Sequence, residues 1–217
     1  MKMNDFLVIS VGGSIVVPDE IDTAFLHSFR SLLLREVKKG RRFVLIVGGG
    51  KTARRYQSAI HAFPNVTKQD EDELGIATIY SNAHLLHLVF KGYERSVIIN
   101  PDLSSWKSGA SSDFRSVKIA KKYKAKTLIN LTNTDGVYER DPRKYKEAKR
   151  FDTLSWKSFR ALLPKKWRPG LSLPFDPIAA REAERIGLEV FILNGKKIKE
   201  FEKAIAGKSF LGTTIKD

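Results

Sequence analysis

Short apolar runs closed by glycine alternate along this chain with longer stretches in which apolar residues recur every three or four positions. Phe6 to Val11 is the first such run and stops at Gly12-Gly13-Ser14, the pattern of a buried strand and a tight turn. From Ile21 to Lys39 the residues Phe25, Phe29, Leu32, Leu33 and Val37 mark one helical face, and Gly40 ends it. Phe43 to Val47 predicts a second strand, closed by Gly48-Gly49-Gly50; helices over 51–63 and about 72–90 follow, separated by Pro64-Asn65. Val97 to Asn100 reads as a third strand, and a loop of Pro, Ser and Gly then leads to Ser112. Asp113 stands where it can cap a helix running to Tyr123. Thr127 to Leu131 is a fourth strand, with the turn Thr132 to Gly136 at its end. A short helix fits 156–163, and Asp176-Pro177 offers an N-cap and first-turn proline for a helix to Ile186. A strand over 189–193, a helix over 197–206 and a closing edge strand over 213–215 complete the chain. Strands alternating with helices predict an α/β fold, a three-layer αβα sandwich around a mostly parallel sheet.

Composition narrows the chemistry. The 217 residues contain no Cys, which excludes disulfides, thiolate metal sites and cysteine nucleophiles, and the four His have no metal-ligand spacing. No apolar run is long enough for a membrane span or a signal segment, so a cytoplasmic protein with no membrane partner is expected. Lys and Arg number 39 against 24 Asp and Glu, a net charge of +15. The cations are spread along the sequence without a recognised nucleic-acid module, so anionic small molecules are preferred to nucleic acid as partners.

In a sheet of this kind ligands sit outside the carboxyl ends of the strands. Those ends carry Gly12-Gly13-Ser14, Gly48-Gly49-Gly50 and the loop closing at Ser112. Glycine lets main-chain N–H groups approach an anion, and a following helix N-terminus adds its positive dipole end. One such turn is only a turn; three at consecutive strand ends suggest a crevice for several phosphates. Neither the Gly-x4-Gly-Lys-Ser/Thr loop nor a Gly-x-Gly-x-x-Gly fingerprint follows a strand, which disfavours P-loop enzymes and dinucleotide dehydrogenases.

Val11-Gly-Gly-Ser14, Val47-Gly-Gly-Gly-Lys-Thr-Ala-Arg54, the 106–113 loop, Thr132-Asn-Thr-Asp-Gly-Val-Tyr138 with Asp141-Pro142, Phe175-Asp-Pro177 and Gly212-Thr-Thr-Ile215 together resemble the amino acid kinase family. Their order and spacing are similar to its uridylate (UMP) kinase branch of the archaeal type, over nearly the whole chain. The resemblance implies one amino acid kinase domain, with an acceptor side over about 1–105 and an ATP side over 106–217. It implies phosphoryl transfer from ATP, with Mg2+, to UMP in pyrimidine nucleotide synthesis. Gly13, Ser14, Gly50, Arg54, Thr132, Tyr138 and Asp141 would hold ATP. Gly49, Asp72, Trp106, Lys107, Ser108, Gly109, Ala110, Ser111 and Ser112 would hold UMP. Asp113, Lys51 and Arg54 would serve catalysis, no side chain is assigned to the metal itself, and a homo-oligomer, a hexamer built from dimers, is implied. The chain departs from the family pattern between Leu86 and Trp106, which is shorter than usual.

The residues alone leave several roles open. Asp113 is a helix cap or an organiser of charge at the transfer site. Tyr138 is a core aromatic or a nucleotide contact, and Asp72 a solvated acid or a ribose ligand. Asp135-Gly136 fits a purely geometric turn. A sister kinase acting on a carboxylate or an isoprenoid phosphate, and a nucleotide-binding protein without turnover, are the alternative functions.

Overall fold

A computed structural model describes residues 6–101, 111–164 and 173–217. Its strands are β1 (Phe6–Val11), β2 (Arg42–Val47), β3 (Val97–Ile99), β4 (Thr127–Thr132), β5 (Thr153–Leu154), β6 (Glu189–Asn194) and β7 (Thr213–Ile215). They form one sheet in the order β3-β2-β1-β4-β6-β7-β5. The first five in that order are mutually parallel; β7 runs antiparallel to β6, and β5 pairs parallel to β7. Continuous apolar runs such as Phe43 to Val47 belong in this sheet because both its faces are covered.

The helices are α1 (Gly13–Val16), α2 (Thr23–Lys38), α3 (Gly50–Ile60), α4 (Lys68–Val89), α5 (Ser112–Lys122), α6 (Trp156–Ala161), α7 (Pro177–Arg185) and α8 (Ile198–Ile205). One core joins α2, α4 and α8 to the sheet through Phe29, Leu86, Phe90 and Phe201, with Ile9, Val11 and Leu45 beneath them. The other face carries α5, α6 and α7, whose Val117, Phe159 and Ala183 pack over Val8, Val44 and Val190. Neighbouring residues of β1 therefore serve opposite cores, as strand geometry requires. The three-layer αβα arrangement expected from the sequence is present.

Four details differ from the expectation. The Gly13-Ser14 turn continues into the short helix α1. Helix α4 starts at Lys68 rather than near Asp72, because Thr67 and Asp70 form a reciprocal capping box: the Thr67 Oγ accepts from Asp70 N, and Asp70 Oδ2 accepts from Thr67 N at 2.8 Å. Strand β7 is not the edge; the two-residue β5 lies outside it, too short to give a periodic signal. The cap of α5 is Ser111, whose Oγ accepts from Phe114 N at 3.0 Å, so Asp113 lies inside the first turn and is not the cap. The Asp176 cap and Pro177 at the first position of α7 are as read: the Asp176 carboxylate accepts from Ile178 N and Ala179 N, both at 2.7 Å.

Asn100 ends β3 and fixes the sheet at that side. It has φ +38°, which Asn tolerates better than most residues, and its side chain grips β2. The Val47 N–H donates to Asn100 Oδ1 at 2.7 Å, and Asn100 Nδ2 donates to Val47 O at 3.2 Å. This pair continues the ladder just where β2 turns into its glycines. Asn100→Ala strands a buried donor and acceptor and should lower the unfolding free energy by about 2 kcal/mol. A urea titration measures it; an unchanged midpoint would show that the grip adds nothing.

Candidate active site

Strands β1 and β2 are adjacent and in register from Phe6 opposite Arg42 to Val11 opposite Val47, so their two glycine turns leave the sheet side by side. The contact between them is main chain on main chain. A Cβ on Gly13 would lie 2.5 Å from Gly50 N and 2.7 Å from Gly49 C. One on Gly50, which has φ +65°, would run into Ser14 N and the Gly13 backbone. Gly49 is closed in by Ala53, whose Cβ would be 2.5 Å away, and by the Gly75 carbonyl of α4. Asn82 of α4 donates to Gly48 O at 2.9 Å, and Ser112 Oγ lies 3.1 Å from the position of a Gly48 Cβ. Two strand ends, helix α4 and the starts of α3 and α5 thus meet at one point.

Helix α3 presents its first-turn N–H groups here, which lack intrahelical acceptors. One of them, Lys51 N, donates to Ser14 Oγ at 2.8 Å, and Arg54 reaches the same hydroxyl at 3.3 Å. Crowding by protein, and then the positive charge of Arg143, lower the Arg54 pKa. Arg143 comes from the loop after β4 and is clasped by Asp141 through two bonds of 2.9 Å. Two guanidinium groups close enough to repel one another suit an anion beside them.

The sequence-predicted residues do not all meet at one place. Gly13, Ser14, Gly49, Gly50, Arg54 and Ser112 meet at the glycine turns, with Asp141 joined to them through Arg143. Lys51 is there by its main chain, but its ammonium group is held by Asp19 at 2.6 Å, and Asp19 also binds Arg55 at 2.6 Å. Asp72 is half-buried on α4, one turn before Gly75, and pairs with Lys68 at 3.2 Å. Thr132 and Tyr138 border the loop after β4. That loop is anchored by the terminal strand, since Val137 N donates to Thr213 Oγ1 at 2.9 Å, and it turns at Gly136 with φ +143°. Trp106, Lys107, Ser108, Gly109 and Ala110 lie outside the described residues.

Asp113 faces a second acid. The Asp176 N–H donates to Asp113 Oδ2 at 3.1 Å, and Ser111 Oγ donates to the Asp176 carboxylate, which ties the starts of α5 and α7 together. Loss of water around Asp113, and then the Asp176 charge, push its pKa up from 3.8 to about 8. At neutral pH its carboxyl therefore holds a proton more readily than a dissolved carboxyl does.

Sequence reading missed Arg143, Asp19 and the pairing of Asp113 with Asp176. Arg143 follows the recognised Asp141-Pro142 directly, and an arginine two residues after an aspartate in a turn was the available signal. The partnership of Asp113 with Asp176 spans 63 residues and has no local signal.

Comparison with known proteins adds a family. The amino acid kinase family pattern matches residues 73–194. A uridylate kinase of Thermoplasma acidophilum is 31% identical over 99% of this chain and 98% of its own. One of Pyrococcus abyssi is 31% identical over 96% of this chain and 98% of its own. The crystal structure of uridylate kinase from Archaeoglobus fulgidus superposes with TM-score 0.77 at 26% identity, covering 96% of this chain and 99% of that one. The UMP kinase of Bacillus anthracis shares the fold with TM-score 0.78 at 16% identity.

Two outcomes follow from the geometry. Gly13→Ala cannot be a purely local change, because its methyl group meets main chain rather than a movable side chain. It should lower Tm and ATP affinity together, as read by thermal melts and a fluorescent ATP analogue; normal binding and stability would mean that the turns can separate freely. For Asp113 the folded pKa is raised, so the stability tied to its proton is complete below about pH 4 and lost as pH rises through about 8. Asp113→Asn carries no such proton, and its Tm should vary less than the parent's across that range. Parallel profiles would show an already ionised Asp113.

Proposed function

This chain belongs to the amino acid kinase family, and we propose that it transfers the γ-phosphoryl group of ATP to UMP, giving ADP and UDP for pyrimidine nucleotide synthesis. The observation that carries the reading is the junction of two glycine turns at adjacent strand ends, flanked by Arg54 and Arg143, in a chain similar to uridylate kinases along nearly its full length. A carboxylate or isoprenoid-phosphate acceptor, or binding without turnover, has no such support among the relatives named uridylate kinase.

Phosphoryl transfer needs alignment and neutralisation of charge on the moving group more than it needs a nucleophilic side chain. Gly13, Ser14 and Gly50 supply main-chain N–H groups to the ATP phosphates, and Arg54 and Arg143 supply positive charge. Thr132, Tyr138 and Asp141 border the adenosine. Gly49 lies against the UMP phosphate, Asp72 takes the ribose hydroxyls after exchanging Lys68 for them, and Trp106, Lys107, Ser108, Gly109, Ala110, Ser111 and Ser112 are assigned to the acceptor. Lys51 joins the phosphates only by leaving Asp19. Asp113 gives up its proton as positive charge gathers with the nucleotide, and then orients that charge. Magnesium carried by ATP supplies further neutralisation of the phosphate oxygens; among the described residues no group of three His, Asp or Glu offers it a nucleotide-independent cage. The acceptor side is the part before about residue 105, the ATP side the part after it. The active form is a cytoplasmic homo-oligomer, a hexamer built from dimers.

A panel of acceptors tests the reading. ADP release from ATP and Mg2+ should be fastest with UMP, and slower with CMP, AMP, acetylglutamate and isopentenyl phosphate. Equal or faster turnover of a non-nucleotide would overturn the assignment of UMP. Arg54→Met should lower kcat/KM by about 100-fold. Asp72→Asn should raise KM for UMP by about tenfold with kcat nearly unchanged, since it acts far from the reacting atoms. A change confined to the KM for ATP would mean that the two nucleotide sites are exchanged.

A further inference from the structure

The positive charge of this chain lies in separate stretches of the sequence that the fold brings together in space. Because β1, β2, β3 and β4 are parallel, the connections entering them all arrive on one rim of the sheet, at the opposite end from the glycine turns. The connections over 36–42, 90–96 and 121–126 lead into β2, β3 and β4. Their 20 residues hold ten of the 39 Lys and Arg but two of the 24 Asp and Glu, so that these connections carry +8 of the net +15, while the parallel β6 starts on the same rim with Glu189, which Lys216 pairs at 3.6 Å.

The two acids do not neutralise it. Glu36 is buried and already bonded to Lys39 at 2.6 Å and Arg41 at 2.9 Å. Glu94 accepts from Gly92 N at 2.8 Å and stabilises its own turn. Arg95, Lys124 and Lys126 are exposed and make no ion pair among the described residues. Arg42 is braced: its guanidinium lies 4.0 Å over the Phe6 ring and donates to Arg95 O at 3.3 Å, and Tyr123 meets Phe6 edge-on at 4.9 Å.

A plain structural account explains part of this. Cations in the last turn of a helix offset its negative dipole end, which covers Lys38 in α2 and Lys121 in α5. It does not cover Arg42, Arg95, Lys124 and Lys126, which lie beyond the helices in the connections or at the strand starts. Strands β3, β2, β1 and β4 are consecutive in the sheet, so these four span about 14 Å, three steps of ~4.8 Å. That is roughly four nucleotide steps at ~3.4 Å each.

We propose that this rim, formed by Arg42, Arg95, Lys124 and Lys126 at the amino ends of β2, β3 and β4, is a second anionic surface that binds the phosphate backbone of nucleic acid without reading its sequence. It stands apart from the nucleotide crevice, which opens at the other end of the strands. An anionic membrane fits less well, because α2, α4 and α5 meet or approach this rim by their ends and none lies along it to bury an apolar face. The inference departs from the sequence expectation of no nucleic-acid partner, for a reason that only the sheet order supplies.

The test is fluorescence anisotropy of a labelled random-sequence 20-nucleotide RNA, with single-stranded and duplex DNA as parallel arms. Saturating ATP and UMP are present to fill the crevice. If about four phosphates are neutralised on a single strand, the slope of log K against log salt is about −2.8, and affinity should fall about 50-fold between 50 and 200 mM salt. The triple variant Arg95→Glu, Lys124→Glu, Lys126→Glu should weaken binding more than tenfold at the lower salt, with Tm and turnover unchanged. Better binding of RNA than of DNA, or the reverse, identifies the source of the backbone within the proposal. Binding abolished by ATP and UMP, binding unaffected by the triple variant, or attachment to phosphatidylserine vesicles without attachment to nucleic acid would each overturn it.

Discussion

The contact between the backbones of Gly13 and Gly50 is the constraint on which the rest of this structure depends. Parallel neighbours in a sheet are about 4.8 Å apart, so two strands that turn at the same level bring their turns into collision. Val11 and Val47 are directly opposite one another, and both chains turn immediately afterwards. Only residues without Cβ atoms let both turns remain at that level. The close packing then fixes where α3 begins, draws Ser14 onto the first N–H of that helix and places Arg54 beside it. Steric necessity and phosphate chemistry therefore select the same residues, because a junction with no side chains exposes donors that an anion can use.

Around that junction the charges are held in reserve. Lys51 rests on Asp19, Arg143 on Asp141, and Lys68 on Asp72. The cations of these pairs are exposed and such pairs are individually weak, so a cation leaves its carboxylate at little cost, although the Asp72 carboxylate itself is largely buried. Asp113 is different in kind. It is half-buried, faces Asp176, and holds its proton more tightly than a dissolved carboxyl does. The proton thus avoids an uncompensated charge where α5 meets α7, while the cations nearby rest on carboxylate partners.

Much of this organisation was legible from the sequence, because it is local. Apolar runs ending in glycine marked β1 and β2, and five-residue or longer patterns marked most helices. Asp176-Pro177 announced α7 because a cap and a fixed φ act on adjacent residues. What stayed hidden depended on contacts distant along the chain or on very short elements. Ser111 and Asp113 are two residues apart, and either type can cap a helix; the choice fell to Ser111 because Asp113 is used against α7. The two-residue β5 is held by pairing with β7, some 60 positions later, and carries no period of its own. In the site, glycines, Ser14 and Arg54 were readable as motifs, whereas the nearness of Arg143 to Arg54 came from folding two halves of the chain together.

The same distinction explains why charge is hard to interpret along a sequence. Counting along the chain gives separate basic clusters near residues 40, 95 and 124, each unremarkable beside a helix end. A parallel sheet imposes a direction on all of them. Each crossover returns to the same end, so whatever precedes one strand becomes the neighbour of whatever precedes the next. The carboxyl ends gather glycine turns and guanidinium groups into a crevice, and the amino ends gather lysine and arginine into a rim. One topological rule thus produces two electropositive regions of different shape: a compact one around the glycine turns, and an extended one along the amino ends of the strands.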